Sequence, residues 1–354
     1  MVDLAEVLRR HWPEYERQFG AQILPSHGRA ARCILDCRTA ALGGEVYRCA
    51  DCQQDHFVYH SCNHRACPRC GNADADDWLE RQKLKLLPVA YYLITFTVPE
   101  GLRAWLRSHQ KSGYSLLLKQ SAGALQDVAS KDKYLGAELG FLSVLHTWGR
   151  QLQFHPHVHC VVPAGGLRPD GLHWCRPKSV DFFLPQIVLA DRFRNRLKSV
   201  LQVQPDAAQI PALVWRQKWI VDVQPAGSGA SALRYLSAYV CRTALGSQRI
   251  IQDEQGQITF KYKDSTDRQW HASVVAAQEF IRRFLQHVLP RGLQRVRYYG
   301  WLSAAATARW QRILALLDWK PPPPSAAAPV SARLCPRCQK PMIRIGTLVR
   351  CRSP

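Results

Sequence analysis

The sequence predicts an α/β protein, of the mixed α+β kind, with a small cysteine-rich module ahead of the main domain. Stretches of β-branched and aromatic residues, such as VAYYLITFTVP from Val89 to Pro99, are typical of buried strands. Segments with apolar residues at helical spacing, such as residues 185–201, lie between the strands. Residues 33–70 hold many cysteines and few apolar runs. This segment therefore needs something other than a hydrophobic core in order to fold.

The individual elements follow from local spacing and from residues that start or stop helices. Apolar residues recur at helical spacing from Leu4 to Phe19, and residues 73–87 begin acidic and end basic, as the helix dipole favours. Pro88 ends the latter helix, and Ser231 is a suitable N-cap. Helices are expected within residues 1–30, 73–87, 101–130, 185–201, 231–245 and 277–319. Strands are expected at VAYYLITFTVP, GFLSVLHTWGR, HPHVHCVVPAGG and ALVWRQKWIVDVQP and in the hairpin-like RIIQDEQGQITFKYKD.

Charge indicates a polyanionic partner. The 354 residues include 48 Lys and Arg against 27 Asp and Glu, a formal net charge of +21. Basic side chains that displace counterions from phosphates supply most non-specific affinity for nucleic acid. No run of about 18 apolar residues is present, so no membrane span is expected. The N-terminus lacks the layout of a secretory signal, so we expect a cytoplasmic protein, and the basic charge favours association with the nucleoid.

Two cysteine pairs predict a structural zinc site. Cys49-x-x-Cys52 and Cys67-x-x-Cys70 are separated by 14 residues. One tight turn aims both thiolates of such a pair at one ion, so two pairs complete a tetrahedral shell. Buried inert thiols or a redox pair would not account for two matched pairs in one hydrophilic segment. Five further residues could form a second site or act as ordinary side chains: Cys33, Cys37, His60, Cys62 and His64. Of these, Cys37 and Cys62 are the additional candidate zinc ligands.

The C-terminal tail repeats the cysteine pattern. Cys335-x-x-Cys338 has the same spacing, Cys351 offers a third ligand, and no further Cys or His follows before Pro354. Two interpretations stay open. Either the tail takes a ligand from elsewhere, or it is a shortened zinc ribbon.

A strand with alternating histidines predicts a second kind of metal site. In FHPHVHCVVPAGGL, which begins at Phe154, alternation places His155, His157 and His159 on one face. Two imidazoles at i and i+2 suit a divalent ion with open positions, which would act as a Lewis acid on a phosphodiester. His157 and His159 are the expected ligands, and His155 or His146 is the candidate third ligand. A lone histidine would more often be a core or surface residue.

The segment RYLSAYVCRTALGS offers a nucleophile for such an ion to assist. Tyr235 and Tyr239 lie at i and i+4 on one helix face, and Arg234 and Arg242 bracket them. A tyrosine hydroxyl can attack a phosphodiester and form a covalent phosphotyrosyl link. A tyrosine pair at this spacing is on its own more often a packing feature, but the histidine strand and the basic charge favour the chemical interpretation.

These motifs together resemble a known family. HPHVH, YLSAYVCRTALGS, CRTAALGGEVYRCADC with SCNHRACPRC, and EFIRRFLQHVLPRGLQRVRYYGWL are similar to segments of the zinc-binding, two-tyrosine HUH transposases of rolling-circle insertion sequences. HUH denotes histidine–hydrophobe–histidine. The resemblance extends from Cys37 to about Trp301 and rests on several motifs at once.

The resemblance implies both a fold and a set of roles. It implies a palm-like HUH domain with a central antiparallel sheet, His157 and His159 as metal ligands, and Tyr235 and Tyr239 as nucleophiles on single-stranded DNA at element ends and on target DNA. The cofactors expected are structural Zn²⁺ and catalytic Mg²⁺ or Mn²⁺. The DNA-contacting arginines expected are Arg234, Arg242, Arg282, Arg283, Arg295 and Arg297.

The expected domain division has six parts. They are an N-terminal helix (1–30), a zinc-binding module with a connecting helix (31–87), the HUH nuclease domain (88–276), a basic helical region (277–320), a Pro/Ala linker (321–334) and a partial zinc-ribbon tail (335–354).

The predicted activity is that of a metal-dependent tyrosine endonuclease and strand transferase that cuts and rejoins single-stranded DNA through 5′-phosphotyrosine. Two alternatives remain open at this point. An HUH replication initiator or relaxase would share the chemistry, and a non-catalytic, zinc-dependent DNA-binding regulator would form no covalent adduct. A zinc nucleobase deaminase needs a His-x-Glu with Pro-Cys-x-x-Cys, and this combination is absent from the sequence. A transposase with an acidic triad would leave the histidine strand unexplained.

Overall fold

The structure is a computed structural model that describes residues 2–70, 72–179, 182–240, 245–264, 266–323 and 332–350; the side chains of residues 72–74, 238, 239 and 247 lie outside the description. Its helices are α1 (Leu4–Phe19), α2 (Pro25–Asp36), α3 (Asn72–Lys83), α4 (Glu100–Ser108), α5 (Gln110–Ala129), α6 (Gln186–Leu201), α7 (Leu213–Arg216), α8 (Ala230–Val240), α9 (Ala277–Leu285) and α10 (Thr307–Leu316). Its strands are β1 (Gly44–Cys49), β2 (Asp55–Tyr59), β3 (Tyr91–Thr97), β4 (Phe141–Trp148), β5 (Phe154–Pro163), β6 (Gly166–Leu167), β7 (Trp174–Cys175), β8 (Ile220–Pro225), β9 (Ile250–Glu254), β10 (Gln257–Lys263), β11 (Trp270–Ala276), β12 (Val296–Tyr299) and β13 (Met342–Leu348).

The chain forms two compact units. The first combines residues 1–74, 241–288 and 325–354, and the second combines residues 75–240 and 289–324. This differs from the division expected from the sequence, because β9 to β11 and α9 belong to the first unit and the C-terminal tail also joins it.

The first unit is built from helices α1, α2 and α9 and two small sheets. Asp3 caps α1 in a capping box with Glu6, which satisfies free amides at the helix start. One sheet is antiparallel with the order β13-β1-β2, and the other is a meander with the order β11-β10-β9. The meander buries Ile258 and Phe260 beside Phe280 of α9.

The second unit is organised by a five-stranded sheet with the order β12-β4-β5-β3-β8. Every neighbouring pair in it is antiparallel. The mixed α/β class and the central antiparallel sheet predicted from the sequence are therefore confirmed. Alternate residues of the central strands, such as Phe96, Leu145 and Val158, join α4, α5 and α6 in the main hydrophobic core. The intervening residues of the same strands lie on the opposite face.

That opposite face carries the predicted histidines. In the β4–β5 register His146 lies across from His157, and in the β3–β5 register Thr95 lies across from His159. Residues directly opposite in an antiparallel pair share a face, so these side chains lie together. Helix α8 contacts β4, and its Leu233 lines a cavity of about 30 Å³ above the sheet.

Three expectations about local elements were wrong. Residues 213–216 form α7, so the strand expected across ALVWRQKWIVDVQP begins only at Ile220. Residues 296–299, expected in a helical region, form the edge strand β12, because VRYY combines a β-branched residue with two aromatics and meets the free edge of β4. The helical part expected within residues 1–30 extends further, because residues 25–36 form a second helix, α2, which has Pro25 in its first turn and reaches into the cysteine-rich segment.

In the part of the chain that the structure describes, none of the helices combines the length and the apolar character that crossing a membrane requires.

Candidate functional site

Three histidines from two strands meet on the open face of the central sheet. His157 and His159 come from β5, and His146 comes from β4. One ring nitrogen from each lies within 4.8 Å of the other two. We call these residues the histidine cluster. His146 is 2% exposed and His159 is 6% exposed, so the cluster is buried at its base.

Hydrogen bonds orient the two histidines of β5. The Nδ1 of His157 lies 2.7 Å from the carbonyl oxygen of His155, which can only accept, so Nδ1 carries the proton and Nε2 presents a lone pair. The Nδ1 of His159 is hydrogen-bonded to Thr95 Oγ1 at 2.8 Å. The two Nε2 atoms then lie 3.1 Å apart. Nitrogen ligands bound to one ion at about 2.0–2.1 Å also lie roughly 3 Å apart, so the separation fits a metal-ligand pair as well as an N–H···N hydrogen bond.

Burial keeps the cluster neutral. It lowers the pKa of His157 to about 4, and it lowers the pKa values of His146 and His159 well below their usual value. The positive charge of Arg295 lowers the pKa of His146 further, and that of Arg103 does the same for His157. Neutral imidazole is the form that binds metal ions.

His155, the other candidate third ligand, lies next to the cluster rather than in it. Its ring is half-buried, 5.1 Å from the ring of His157, and its nitrogens do not join the group of three. Its contact with the cluster is made by its main-chain carbonyl, which accepts the hydrogen bond from His157 Nδ1. The structure therefore brings His146, and not His155, together with His157 and His159.

The first of the two tyrosines faces the cluster. The ring of Tyr235 on α8 lies 5.8 Å from the ring of His159, edge to face at 89°. Tyr235 is 43% exposed, so a large substrate can reach it. Tyr239 lies one turn further along α8, and its side chain is outside the described residues.

The predicted DNA-contacting arginines near the tyrosine helix have different environments. Arg234 is exposed on α8, and Arg242 lies outside the described residues. The guanidinium of Arg295 donates to the carbonyl of Val240, the last residue of α8, and so ties β12 to the helix that carries the tyrosines. Arg295 also places positive charge beside His146.

The other predicted arginines are engaged within the protein. Arg297 donates to Ser115 Oγ at 2.9 Å. Arg282 and Arg283 both bind the carboxylate of Glu279 on α9. The hydrogen bonds from Arg282 hold the pKa of Glu279 at about 2.

The cysteines form two groups of four. The first, the Cys37 cluster, has Cys37 Sγ 3.5 Å and Cys62 Sγ 3.7 Å from Cys70 Sγ. Its members are Cys37, Cys62, Cys67 and Cys70. The second, the Cys335 cluster, consists of Cys49, Cys52, Cys335 and Cys338.

The single zinc shell predicted from Cys49, Cys52, Cys67 and Cys70 was therefore wrong in its pairing. The two CxxC pairs of the N-terminal segment belong to different clusters. Cys37 and Cys62 complete one cluster, and the C-terminal tail completes the other. Cys351, the third tail ligand considered from the sequence, lies outside the described residues.

Comparison with known proteins finds similarity to transposases. A family model described as "Putative transposase" matches residues 140–309, and one described as "Transposase zinc-binding domain" matches residues 7–98. The chain is 37% identical over 324 residues to "Putative transposase y4qJ" of Sinorhizobium fredii, which covers 85% of this chain and 80% of that protein. It is 27% identical over 290 residues to the transposase for insertion sequence element IS801 of Pseudomonas savastanoi pv. phaseolicola, which covers 76% of this chain and 68% of that protein. No solved structure matches this chain.

This chain belongs to the IS91/IS801 family of transposases. The resemblance inferred from the sequence motifs is confirmed at the level of the family, and a replication initiator or relaxase is set aside. The transposase zinc-binding domain together with the Cys37 cluster supports structural zinc in this transposase.

Two features of the transposase site were missed from the sequence. Thr95 orients His159, and its role depends on the β3–β5 register rather than on any motif. Arg103 of α4 lies near His155 and His157, and its buried Nε has no hydrogen-bond partner among the described residues. A single arginine on an amphipathic helix gives no local sequence signal that its side chain will lie beside these histidines.

Part of the family-like motif RYYGWL has a structural role in the transposase. Gly300 has φ +59°, and a Cβ there would overlap the carbonyl of Leu139, so only glycine fits. Trp301 is buried and donates from its indole nitrogen to the carbonyl of Glu138 at 3.0 Å. These two residues anchor the chain leaving β12 to the start of β4, the strand that carries His146.

Proposed function

We propose that this transposase cleaves and rejoins single-stranded DNA at insertion-sequence ends, with Tyr235 as a nucleophile and the histidine cluster as the site of a divalent ion. The observation that carries the proposal is the edge-to-face placement of the Tyr235 ring 5.8 Å from the ring of His159. A phosphate held at the open side of the cluster would lie within reach of the tyrosine hydroxyl.

The donor set of the cluster fits a divalent ion. Three neutral imidazoles from His146, His157 and His159 would hold it on one side and leave positions for phosphate oxygens on the other. Because Mg²⁺ prefers an all-oxygen shell, Mn²⁺ suits this nitrogen-rich set better of the two ions expected from the sequence. When bound, the ion supplies positive charge that polarises the phosphate.

The residues of the chain supply the transfer step. The Tyr235 hydroxyl loses its proton as its oxygen forms a bond to phosphorus, the bond from phosphorus to the 3′ oxygen breaks, and the leaving oxygen takes up a proton to become a free 3′-hydroxyl. The product is a 5′-phosphotyrosine. Attack by a 3′-hydroxyl on this link reverses the step and rejoins a strand. Tyr239, one turn further along α8, serves the second DNA end in this proposal.

Charge around the cluster suits a DNA strand. Arg103 and Arg295 act electrostatically on the histidines from two different elements of the same unit, α4 and the segment leading into β12. Their charges would face the phosphate that lies against the cluster. The wider basic character, with eight Lys and Arg and one acid in residues 281–320, favours binding of the flanking nucleotides.

The test is a covalent adduct. The full-length protein with Mn²⁺ and labelled single-stranded element ends is expected to form a protein–DNA adduct that survives a denaturing gel. Tyr235→Phe, which keeps the ring and loses the hydroxyl, should lose the adduct at one end, and the double variant with Tyr239→Phe should form none. Tyr134→Phe is the matched control, because Tyr134 packs against the main core. An adduct in the double variant would refute the assignment of the nucleophiles, and no adduct in the wild-type protein would favour the non-catalytic regulator.

A further inference from the structure

We propose that the C-terminal tail closes a second structural zinc site, in which Cys335 and Cys338 share one ion with Cys49 and Cys52. The two tail cysteines lie outside both segments matched by transposase family models, residues 7–98 and 140–309. The site would join parts of one chain that are 283 and 289 residues apart.

The sulfur positions fit one tetrahedral ion. Cys49 Sγ lies 3.3 Å from Cys338 Sγ, and Cys52 Sγ lies 3.7 Å from Cys335 Sγ. Thiolates bound to zinc at about 2.3 Å lie roughly 3.8 Å apart at the corners of a tetrahedron. Each distance joins an N-terminal cysteine to a tail cysteine, so the four thiols form one group rather than two separate pairs.

The two CxxC turns have the same backbone geometry. The amide of Cys49 donates to the carbonyl of Gln54, and the amide of Gln53 donates back to the carbonyl of Cys49, both at 3.1 Å. In the tail, the amide of Cys335 donates to Lys340 and the amide of Gln339 donates back to Cys335, both at 2.8 Å. The fourth residue after the first cysteine is left-handed in both turns, with φ 55° at Gln53 and φ 59° at Gln339. Two equivalent turns that face each other are typical of a four-cysteine zinc site.

The same turns place hydrogen-bond donors around the sulfurs. Backbone amides of Cys52 and Asp51 donate to the sulfur of Cys49, and those of Cys338 and Arg337 donate to the sulfur of Cys335. His56 Nε2 lies 3.4 Å from Cys335 Sγ, where an N–H would donate to the sulfur. Thiolate is the form that binds zinc, and donors to the ligand sulfur hold it in place.

The tail is also part of the sheet that carries the first turn. Strand β13 pairs with β1 from Gly44↔Leu348 to Cys49↔Met342. The paired strands end at the two turns, with Cys49 at the end of β1 and Cys338 shortly before β13. An ion at the Cys335 cluster would therefore fasten β13 to β1 at the end where the hydrogen-bonded ladder stops. The sheet order β13-β1-β2 makes the tail a strand of the zinc-binding module.

The experiment counts zinc in the full-length protein purified under reducing conditions, and it needs no DNA. We expect two zinc ions per chain in the wild-type protein and one in Cys49→Ser or Cys338→Ser. The double variant Cys49→Ser/Cys338→Ser should still hold one, because both cysteines bind the same ion. The double variant Cys49→Ser/Cys67→Ser should hold none, because these cysteines belong to different clusters. Cys33→Ser is the matched control and should keep two, since Cys33 lies in neither group.

Three results would overturn the proposal: one zinc ion in the wild-type chain, two in Cys338→Ser, or none in Cys49→Ser/Cys338→Ser. Cys338→His gives a second route if the serine variant does not fold, because imidazole can replace a thiolate and should keep both ions. Titration of the metal-free wild-type chain with Co²⁺ is a third measurement. The thiolate–metal absorption is expected to rise until two equivalents of Co²⁺ have been added. Since zinc is counted without cleavage, a failure here is distinguishable from a failure of the proposed strand transfer.

Discussion

The Nε2 atoms of His157 and His159 face each other at 3.1 Å on the open side of the central sheet. His157 carries its proton on Nδ1, so its Nε2 presents a lone pair. His159 Nε2 donates to that lone pair when Thr95 donates to His159 Nδ1, and presents a second lone pair when Nδ1 donates to Thr95. In the second tautomer the two lone pairs repel each other. A cation between two lone pairs removes the repulsion. Strand alternation alone brings the two Nε2 atoms together, so β5 sets this arrangement by itself. The third ligand has to come from a neighbouring strand.

The first prediction separates the two candidate third ligands. His146→Ala should reduce Mn²⁺-dependent adduct formation by at least tenfold, because it removes one of the three nitrogens of the cluster. His155→Ala should retain most activity, because the alanine keeps the carbonyl that accepts from His157 Nδ1. Adduct yield on single-stranded element ends is the measurement, with the melting temperature of each variant as the control for folding. The opposite ranking of the two variants would make His155 the ligand.

The second prediction concerns the ion. Dialysis against a chelator should abolish cleavage, and Mn²⁺ should restore it at a lower concentration than Mg²⁺, because the three donors are nitrogens. Zinc counted before and after dialysis is the control, since loss of structural zinc would also impair the protein. Equal restoration by both ions at the same concentration would contradict the nitrogen-rich assignment.

Much of the candidate site depends on local periodicity and could be predicted. Alternation along β5 predicts that His157 and His159 share a face, and they do. Helical spacing predicts that Tyr235 and Tyr239 lie one turn apart, and both fall within α8. In each case the relevant geometry is set within a few residues of the chain.

The rest depends on pairings between distant segments. His146 reaches the cluster through the β4–β5 register, which shifts between His146 and Trp148 and is not encoded by spacing. A CxxC turn predicts two ligands of one ion but not its partner turn, and for Cys49 the partner lies in the tail. Short elements such as β12 were missed because four residues hold too little pattern to outweigh their helical surroundings.

The third prediction concerns the contact between α1 and the Cys37 cluster. Asp3 caps α1 and accepts from Arg69 Nε at 2.9 Å, and Arg69 also donates to the carbonyl of Cys37. Asp3→Ala removes the cap and the ion pair and should lower the free energy of unfolding by about 1–2 kcal/mol. Asp3→Asn keeps a capping oxygen and loses only the charge, so it should lower the free energy of unfolding by less than Asp3→Ala does.

The same contact predicts a pH dependence. Burial raises the pKa of Asp3, but hydrogen bonds from Arg69 and from the Glu6 amide outweigh it, and the net pKa is lowered from 3.8. A carboxyl group with a lowered folded-state pKa stabilises the protein above its unfolded pKa and loses this effect as the pH falls through the folded value. The difference in unfolding free energy between Asp3→Asn and the wild type should therefore be constant near neutrality and shrink below about pH 3.8. Urea titrations at several pH values measure it, and a difference that grows on acidification would contradict the ion pair.

The last prediction tests the support beneath His146. Gly140 precedes β4, and a Cβ added there would overlap the indole of Trp301, which is 1% exposed and is held by its hydrogen bond to the carbonyl of Glu138. Gly140→Ala should therefore destabilise the protein by about 1–3 kcal/mol. Gly246→Ala is the matched control, because an added Cβ there has no atom within 4 Å and the backbone is not left-handed. Trp301→Ala should itself be destabilising, but in that background the penalty of Gly140→Ala should disappear, because the indole that it would strike is gone. Thermal or urea unfolding of the four members of this cycle gives the coupling energy, and additive effects of the two substitutions would show that Trp301 is not what requires glycine at this position.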